Sequence, residues 1–350
     1  MPGICSIFTH FANPNNTLTC LRRLAAQTRR PEYIVIINNG RADDPVLAEA
    51  RSLASQHLPE DCLHILQMPG NLGNAGGCAS GLDYAFHELK ADAVWILDDD
   101  SWPRPHTLQA LLAAPCDDDT VRMRLVIDPK RGDELSWPLT IPAHEGSQRR
   151  WVNAVRRAEL PAGNIIASRG GRLGALYPRR VWQRVGTPPP ALFTRGEAGE
   201  YPWKVRAAGF RFVTVRDSEL EHPSAKLELL HFHIGGRSYF YEPGLANSRL
   251  YYKIRNWAWL QRLKHPGNPL HRLIACGFYA LLTINAMLRT DEVSLRRIYT
   301  LFRALHNGFY GKLRPWCQSP RIRRASTSCS RPHRPEPFRA APEPSRGCCA

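Results

Sequence analysis

The sequence predicts an α/β fold built on a mainly parallel sheet, followed by a helical region. Three observations carry that expectation. Short apolar runs alternate with helix-period runs through the first hundred residues. Those apolar runs are nearly continuous, as strands covered on both faces require. After Lys226 helix-period stretches dominate.

The elements follow in order. ICSIFTH reads as a strand, LTCLRRLAAQT as an amphipathic helix, and YIVIINNG as a strand ending in a turn. DPVLAEARSLASQH is the next helix and LHILQM the next strand. The glycine-rich PGNLGNAGGCASGL, Pro69 to Leu82, reads as a loop running into the helix GLDYAFHELK, and AVWIL is a fourth strand. The stretch from about Asp117 to Thr194 is less regular. GRLGALYP then reads as a strand, RRVWQRVG as a short helix, TRGEAGEYPWKVRAAGF as a helix and FRFVTV as a strand leading to His222. From Gln318 the composition turns to Pro, Arg and Ser without apolar period, so a disordered tail is expected.

In parallel sheets ligands bind beyond the carboxyl ends of the strands. Those ends carry Thr9 and His10, Asn38 and Asn39, the loop after Met68, and the triplet Asp98, Asp99 and Asp100. Three adjacent carboxylates repel one another, and a divalent cation relieves that repulsion. Mg²⁺ or Mn²⁺ prefers oxygen ligands and leaves positions open for phosphate. The plain alternative is a solvated turn capping the helix near Pro105. The loop glycines would allow close backbone approach to an anion at a helix N-terminus. Their spacing is not GxGxxG, and no GxxxxGK[ST] occurs. Glu197 and Glu200 begin a helix, where acids also serve as dipole partners.

The net charge of +16 raises nucleic acid as a partner, but its distribution argues against that. From Gly311 to Ala350 there are nine Lys and Arg against two Glu, so +7 of the +16 lies in the tail. Ten cysteines without a CxxC pair suit buried free thiols in a reducing compartment, and no signal peptide is indicated; a cytoplasmic protein is expected. The most apolar stretch, Leu273 to Leu288, covers 16 residues, short of the roughly 20 that span a bilayer. Flanked by Arg272 and Arg289, it suits peripheral contact with the inner face of a membrane.

Together these segments resemble family-2 nucleotide-sugar glycosyltransferases of the GT-A fold, in the branch of bacterial rhamnosyl- and galactofuranosyl-transferases. The likeness covers roughly residues 3 to 313 and includes NLGNAGGCASGL, ILDDDSWPRPHTL, FTRGEAGEYPWKVRAAGF, LEHP and SRLYYKIRNWAWL. The resemblance implies a catalytic domain over 1–225, with a nucleotide-sugar half over about 1–115 and an acceptor half over about 116–225. A helical region over 226–315 and a basic Pro/Arg-rich tail over 316–350 follow.

It further implies an inverting, metal-dependent transfer from a UDP- or dTDP-linked sugar to a glycan or polyprenyl-linked acceptor. Thr9, Asn38, Asn39, Asn71, Gly76, Gly77, Asp98 and Asp99 would contact the donor. Asp98, Asp100 and His222 would hold Mn²⁺ or Mg²⁺. Two positions depart from the family pattern. Ala198 stands where relatives carry the catalytic base, so Glu197 or Glu200 is expected to replace it. Asn38 stands where Asp is usual.

Overall fold

The computed structural model describes residues 3–144, 150–223, 229–234 and 237–316. Met1–Pro315 cluster as one compact unit. The proposed tail, apart from Trp316, and the boundary near residue 226 lie outside the described residues.

The first half follows the alternation seen in the sequence. Strand β1 (Ile4–His10) leads through α1 (Pro14–Ala25) to β2 (Tyr33–Asn38). Helix α2 (Pro45–His57) begins at Pro45, and its cap Asp44 accepts a hydrogen bond from the Val46 amide. Strand β3 (Leu63–Gln67), helix α3 (Gly73–His87) and β4 (Ala93–Ile96) complete a parallel sheet in the order β3-β2-β1-β4. Its two faces explain the unbroken apolar strands. Ile4, Phe8, Ile34 and Ile36 pack toward α1 and α2, whereas Cys5, Ile7, Val35 and Ile37 pack toward α3.

Helix α3 starts at Gly73, well before the expected Gly81. A Cβ at Gly77 would collide with Thr9, and one at Gly81 would press on Ile37 and Ile7. The glycines therefore let this helix lie close on β1 and β2, a role that a loop reading does not anticipate.

The sheet continues less regularly. A short β5 (Trp102–Pro103) and α4 (Thr107–Ala113) precede β6 (Thr120–Ile127), β7 (Glu134–Pro142), β8 (Trp151–Arg156) and β9 (Ile165–Ala167). Strand β10 (Ala175–Pro178) runs antiparallel to β4 and β6, and α5 (Arg179–Val185) and α6 (Glu197–Ala207) lead to β11 (Arg211–Glu221). Strand β11 runs parallel to β6, so the sheet is mixed beyond β4. A separate hairpin of β12 (Leu230–Ile234) and β13 (Arg237–Tyr241) introduces the helices α7 (Asn247–Lys264), α8 (Pro269–Arg289) and α9 (Leu295–Phe309).

Helix α8 spans 21 residues, long and apolar enough to cross a membrane by length and composition, against the shorter run expected. One of its faces, carrying Cys276, Ala280, Thr283 and Met287, is buried. The opposite stripe of Leu270, Leu273, Ile274, Leu281 and Leu288 is exposed, Leu281 by 68%. Amphipathicity here is set by the fold's surface rather than by polar residues.

Candidate active site

The carboxyl ends of β1, β2 and β4 open into a cleft of about 470 Å³ lined by Thr9, Asn39, Asn71, Asn74, the Asp98–Asp100 triplet and His222. Asn39 organises its floor. Its Nδ2 donates to the Gly73 carbonyl at 3.1 Å, and its Oδ1 accepts from the Leu72 amide at 3.4 Å. Asn71 accepts from the Gly73 amide at 2.8 Å, holding the chain as it enters α3.

Three residues expected to contact the donor do not line this cleft. Asn38 is fully buried. Its Nδ2 donates to the Arg41 carbonyl (2.9 Å) and Gln67 Oε1 (2.6 Å), and its Oδ1 accepts from the Gly40 amide. With donors and acceptor spent on the turn after β2, it shapes the cleft from behind. Gly76 and Gly77 are buried in the first turns of α3 and do not line the cleft.

The triplet separates into three environments. Asp98 accepts from Arg172 Nη2 through both oxygens, at 2.7 and 3.0 Å, and from Asn74 Nδ2 at 3.2 Å. Burial alone would raise its pKa, but the facing Arg172 guanidinium holds it below the ordinary value. Asp99 has no such partner, and burial, reinforced by Asp100 and Asp98, pushes it up to about 7. Asp100 is the more open, and its Oδ1 lies 3.4 Å from His222 Nε2.

The Nδ1 of His222 donates to the Pro223 carbonyl at 2.6 Å, which leaves Nε2 as the basic nitrogen of the neutral ring. Burial lowers the His222 pKa, yet the hydrogen bond and charge of Asp100 outweigh it and raise the value. Among the described residues no three His, Cys, Asp or Glu side chains form a ready cation cage. The donor set nevertheless fits a divalent ion at Asp100 and His222, a carboxylate oxygen and an imidazole nitrogen 3.4 Å apart. Both Asp98 oxygens already accept from Arg172, which sets this carboxylate apart from the other two.

On the far side of Asp98 lies a second cavity of about 380 Å³. Asp98, Arg124, Trp137, Arg172, Ala198 and His222 contribute to its wall. Helix α6 points Ala198 at this space, and Ala198 and Gly199 also line a neighbouring cavity. Glu197 and Glu200 are buried beside Ala198. They are 4% and 2% exposed, and neither is in the wall of these cavities. The Glu197 carboxylate accepts from the Gly196 amide at 2.9 Å. Glu200 Oε2 has no hydrogen-bond partner, and burial, only partly offset by Lys204, raises its pKa to about 7. Neither carboxylate lines the space that Ala198 faces, although the Glu197 charge acts on Arg172 in its wall.

The loop before α6 is pinned by α7. Arg255 Nη2 donates to the Ala191 and Leu192 carbonyls at 2.8 and 3.0 Å, and Asn256 Nδ2 donates to Leu192 and Thr194 at 2.9 and 2.7 Å. The Tyr-Tyr-x-x-Arg-Asn run thus orients α6 rather than touching the cleft through Arg255 or Asn256. Phe193 and Arg195 in that loop take positive φ (63° and 65°), a strained conformation held by these bonds.

Sequence reading missed Phe11 at the cleft rim, Asn74, Arg172 and Arg124. Two signals were available: arginines at 122 and 124 interrupt an otherwise apolar strand, and Arg172 sits between glycines ahead of β10.

Solved glycosyltransferases share this architecture. GalNAc-T7, solved with UDP, GalNAc and Mn²⁺, superposes with a TM-score of 0.53 at 13% identity, over 75% of this chain and 48% of that longer one. Residues 1–349 of S. aureus TarS, in complex with UDP-GlcNAc, give 0.52 at 14% identity over 89% and 81% of the two chains. The fold is therefore that of the GT-A glycosyltransferases. The family model described as glycosyl transferase family 2 matches residues 6–170. The galactofuranosyltransferase GlfT1 of Mycolicibacterium smegmatis is 26% identical over 313 residues, 86% of this chain and 95% of that protein. Its namesake from Mycobacterium tuberculosis is 27% identical over 292 residues, 79% and 88% of the two chains. The chain is a glycosyltransferase, similar over residues 6–170 to family 2 and over most of its length to these galactofuranosyltransferases.

Proposed function

We propose that this enzyme transfers a sugar of the galactofuranose or rhamnose type from a UDP- or dTDP-linked donor to a hydroxyl of a cell-surface glycan or polyprenyl-linked acceptor, with inversion. The observation that carries the reading is the pairing of Asp100 with His222 at the mouth of the β1–β2–β4 cleft, beside the amide-rich floor of Asn39 and Asn71. The GlfT1 relatives support the sugar class, and the neighbours solved with nucleotides support the donor type.

Residues 1–115 form the donor half in this reading, 116–225 the acceptor half, and 226–315 the helical region. Thr9 and Asn39 contact the nucleotide, and Phe11 offers it an exposed ring face. Asp100 and His222 would hold Mn²⁺ or Mg²⁺, which when bound would supply Lewis-acid stabilisation to the departing diphosphate. Arg172 fixes Asp98 and with it the strand end that carries Asp99 and Asp100. The acceptor oxygen attacks the anomeric carbon as the bond to the diphosphate breaks, and its proton leaves to water, because Ala198 offers no carboxylate. A general base contributes about 10²–10⁴-fold in such steps, so turnover is slow.

A second reading, nucleotide or glycan binding without transfer, is favoured by Ala198 itself. The test is a panel of UDP- and dTDP-sugars with Mn²⁺, Mg²⁺ or EDTA. Metal-dependent hydrolysis or transfer supports the first reading; tight nucleotide binding without turnover supports the second.

The exposed apolar stripe of α8, continued by Leu295, Tyr299 and Phe302 on α9, suits peripheral contact with the inner face of a membrane, where a polyprenyl-linked acceptor would lie.

A further inference from the structure

Two buried arginines line the Ala198 cavity, and only one is accounted for. Arg172 is neutralised by Asp98. Arg124, on β6, is 6% exposed and has no ion-pair partner among the described residues. Its Nε has no hydrogen-bond partner, and its Nη1 meets only Met123 Sδ at 4.0 Å. Burial lowers its pKa to about 9, with Tyr177 and Asp98 offsetting only part of the cost, and the one carboxylate in the cavity wall makes its hydrogen bonds to Arg172.

A buried cation without a counter-charge destabilises a fold unless a ligand supplies the charge. The chain keeps room for it all the same. Gly174 has a φ of 61°, and a Cβ there would collide with the Arg124 side chain. The other charged groups in this wall are Asp98, Arg172 and His222, so with Asp98 and Arg172 cancelling, the cavity presents net positive charge. Asp98 separates it from the Thr9–Asn39 cleft assigned to the donor nucleotide, so the donor's diphosphate is provided for elsewhere.

We propose that Arg124 seats an anionic group, a carboxylate or a phosphate, on the acceptor that fills the Ala198 cavity. This rests on the transferase reading and narrows its acceptor to acidic glycans or glycosyl phosphates. A planar guanidinium suits either oxyanion through paired N–H donors.

The test is calorimetric titration of the full chain with D-glucuronic acid, α-D-glucose 1-phosphate and methyl α-D-glucoside, repeated on R124M and R124K. At least one charged ligand should bind about tenfold or more tightly than the glucoside, and which one does identifies carboxylate or phosphate. That preference should vanish in R124M and partly survive in R124K. Without ligand, R124M should melt no lower than the natural protein, because it removes an unpaired buried charge. Absence of charge preference, its survival in R124M, or a clear drop in melting temperature of R124M would each overturn the assignment, the last by making Arg124 a structural residue. UDP titrated with Mn²⁺ is the separate control. Its failure to bind the natural protein sinks the transferase reading, whereas R124M should bind UDP normally.

Discussion

The two sides of Asp98 are built on different terms. On the donor side, the cleft is made from contiguous stretches at adjacent strand ends, and its polar groups are tied to one another before any ligand arrives. On the acceptor side, Arg124, Arg172, Ala198 and Trp137 come from four distant segments, and their charges are not balanced. Catalysis needs preorganised dipoles where charge develops and adaptable space where substrates differ. The strand-end cleft meets the first need, and in the proposed reading the Ala198 cavity meets the second.

The sharpest way to break this contrast is to place a carboxylate in that cavity. Ala198→Asp should speed transfer by about 10²–10⁴-fold if the proton acceptor is what the cavity lacks. Glu197→Gln, outside that cavity wall, should change the rate by less than about threefold. An unaltered rate in the first variant with a collapse in the second would return the base to Glu197.

The donor side is probed next by Asp100→Asn. Turnover should fall by about 10²–10³-fold and lose its response to Mn²⁺. Retained metal dependence would move the cation away from the Asp100–His222 pair.

A smaller effect tests whether Glu200 is a buried structural acid. Its folded pKa of about 7 lies above the ordinary 4.5, so the folded state binds the proton more tightly than the unfolded chain. The stability this allows is full below pH 4.5 and is lost as pH rises through about 7, by about 3 kcal/mol. Denaturant melts from pH 4 to 8 should show that slope in the natural protein and its reduction in Glu200→Gln. Identical slopes would place Glu200 in a solvated setting. Smallest is the α8 surface. Leu281→Asp should weaken sedimentation with anionic vesicles about tenfold without changing UDP binding, and unchanged sedimentation would remove α8 from the membrane contact.

Much of the donor side was legible in the chain. Unbroken apolar strands, Pro at helix starts and the acidic triplet after β4 place strands, helices and cleft without coordinates, because these are local patterns. The glycine run was misread. Its purpose is the distance between α3 and the strands beneath it, and that distance appears only when Thr9 and Ile37 are seen against Gly77 and Gly81. Asn38 was misread for a related reason: a polar residue at a strand end can serve the turn behind it as readily as a ligand in front.

By itself the sequence determined the alternating fold, the cation-suited acids at 98–100 and the presence of Ala198 between Glu197 and Glu200. Only the tertiary structure decided which acids are free and which face the substrate. Arg172 claims Asp98, Glu197 and Glu200 are buried, and Arg124 has no ion-pair partner among the described residues. Those outcomes depend on groups about 25 to 75 residues apart meeting in a low-dielectric wall, where each charge is either answered or left open.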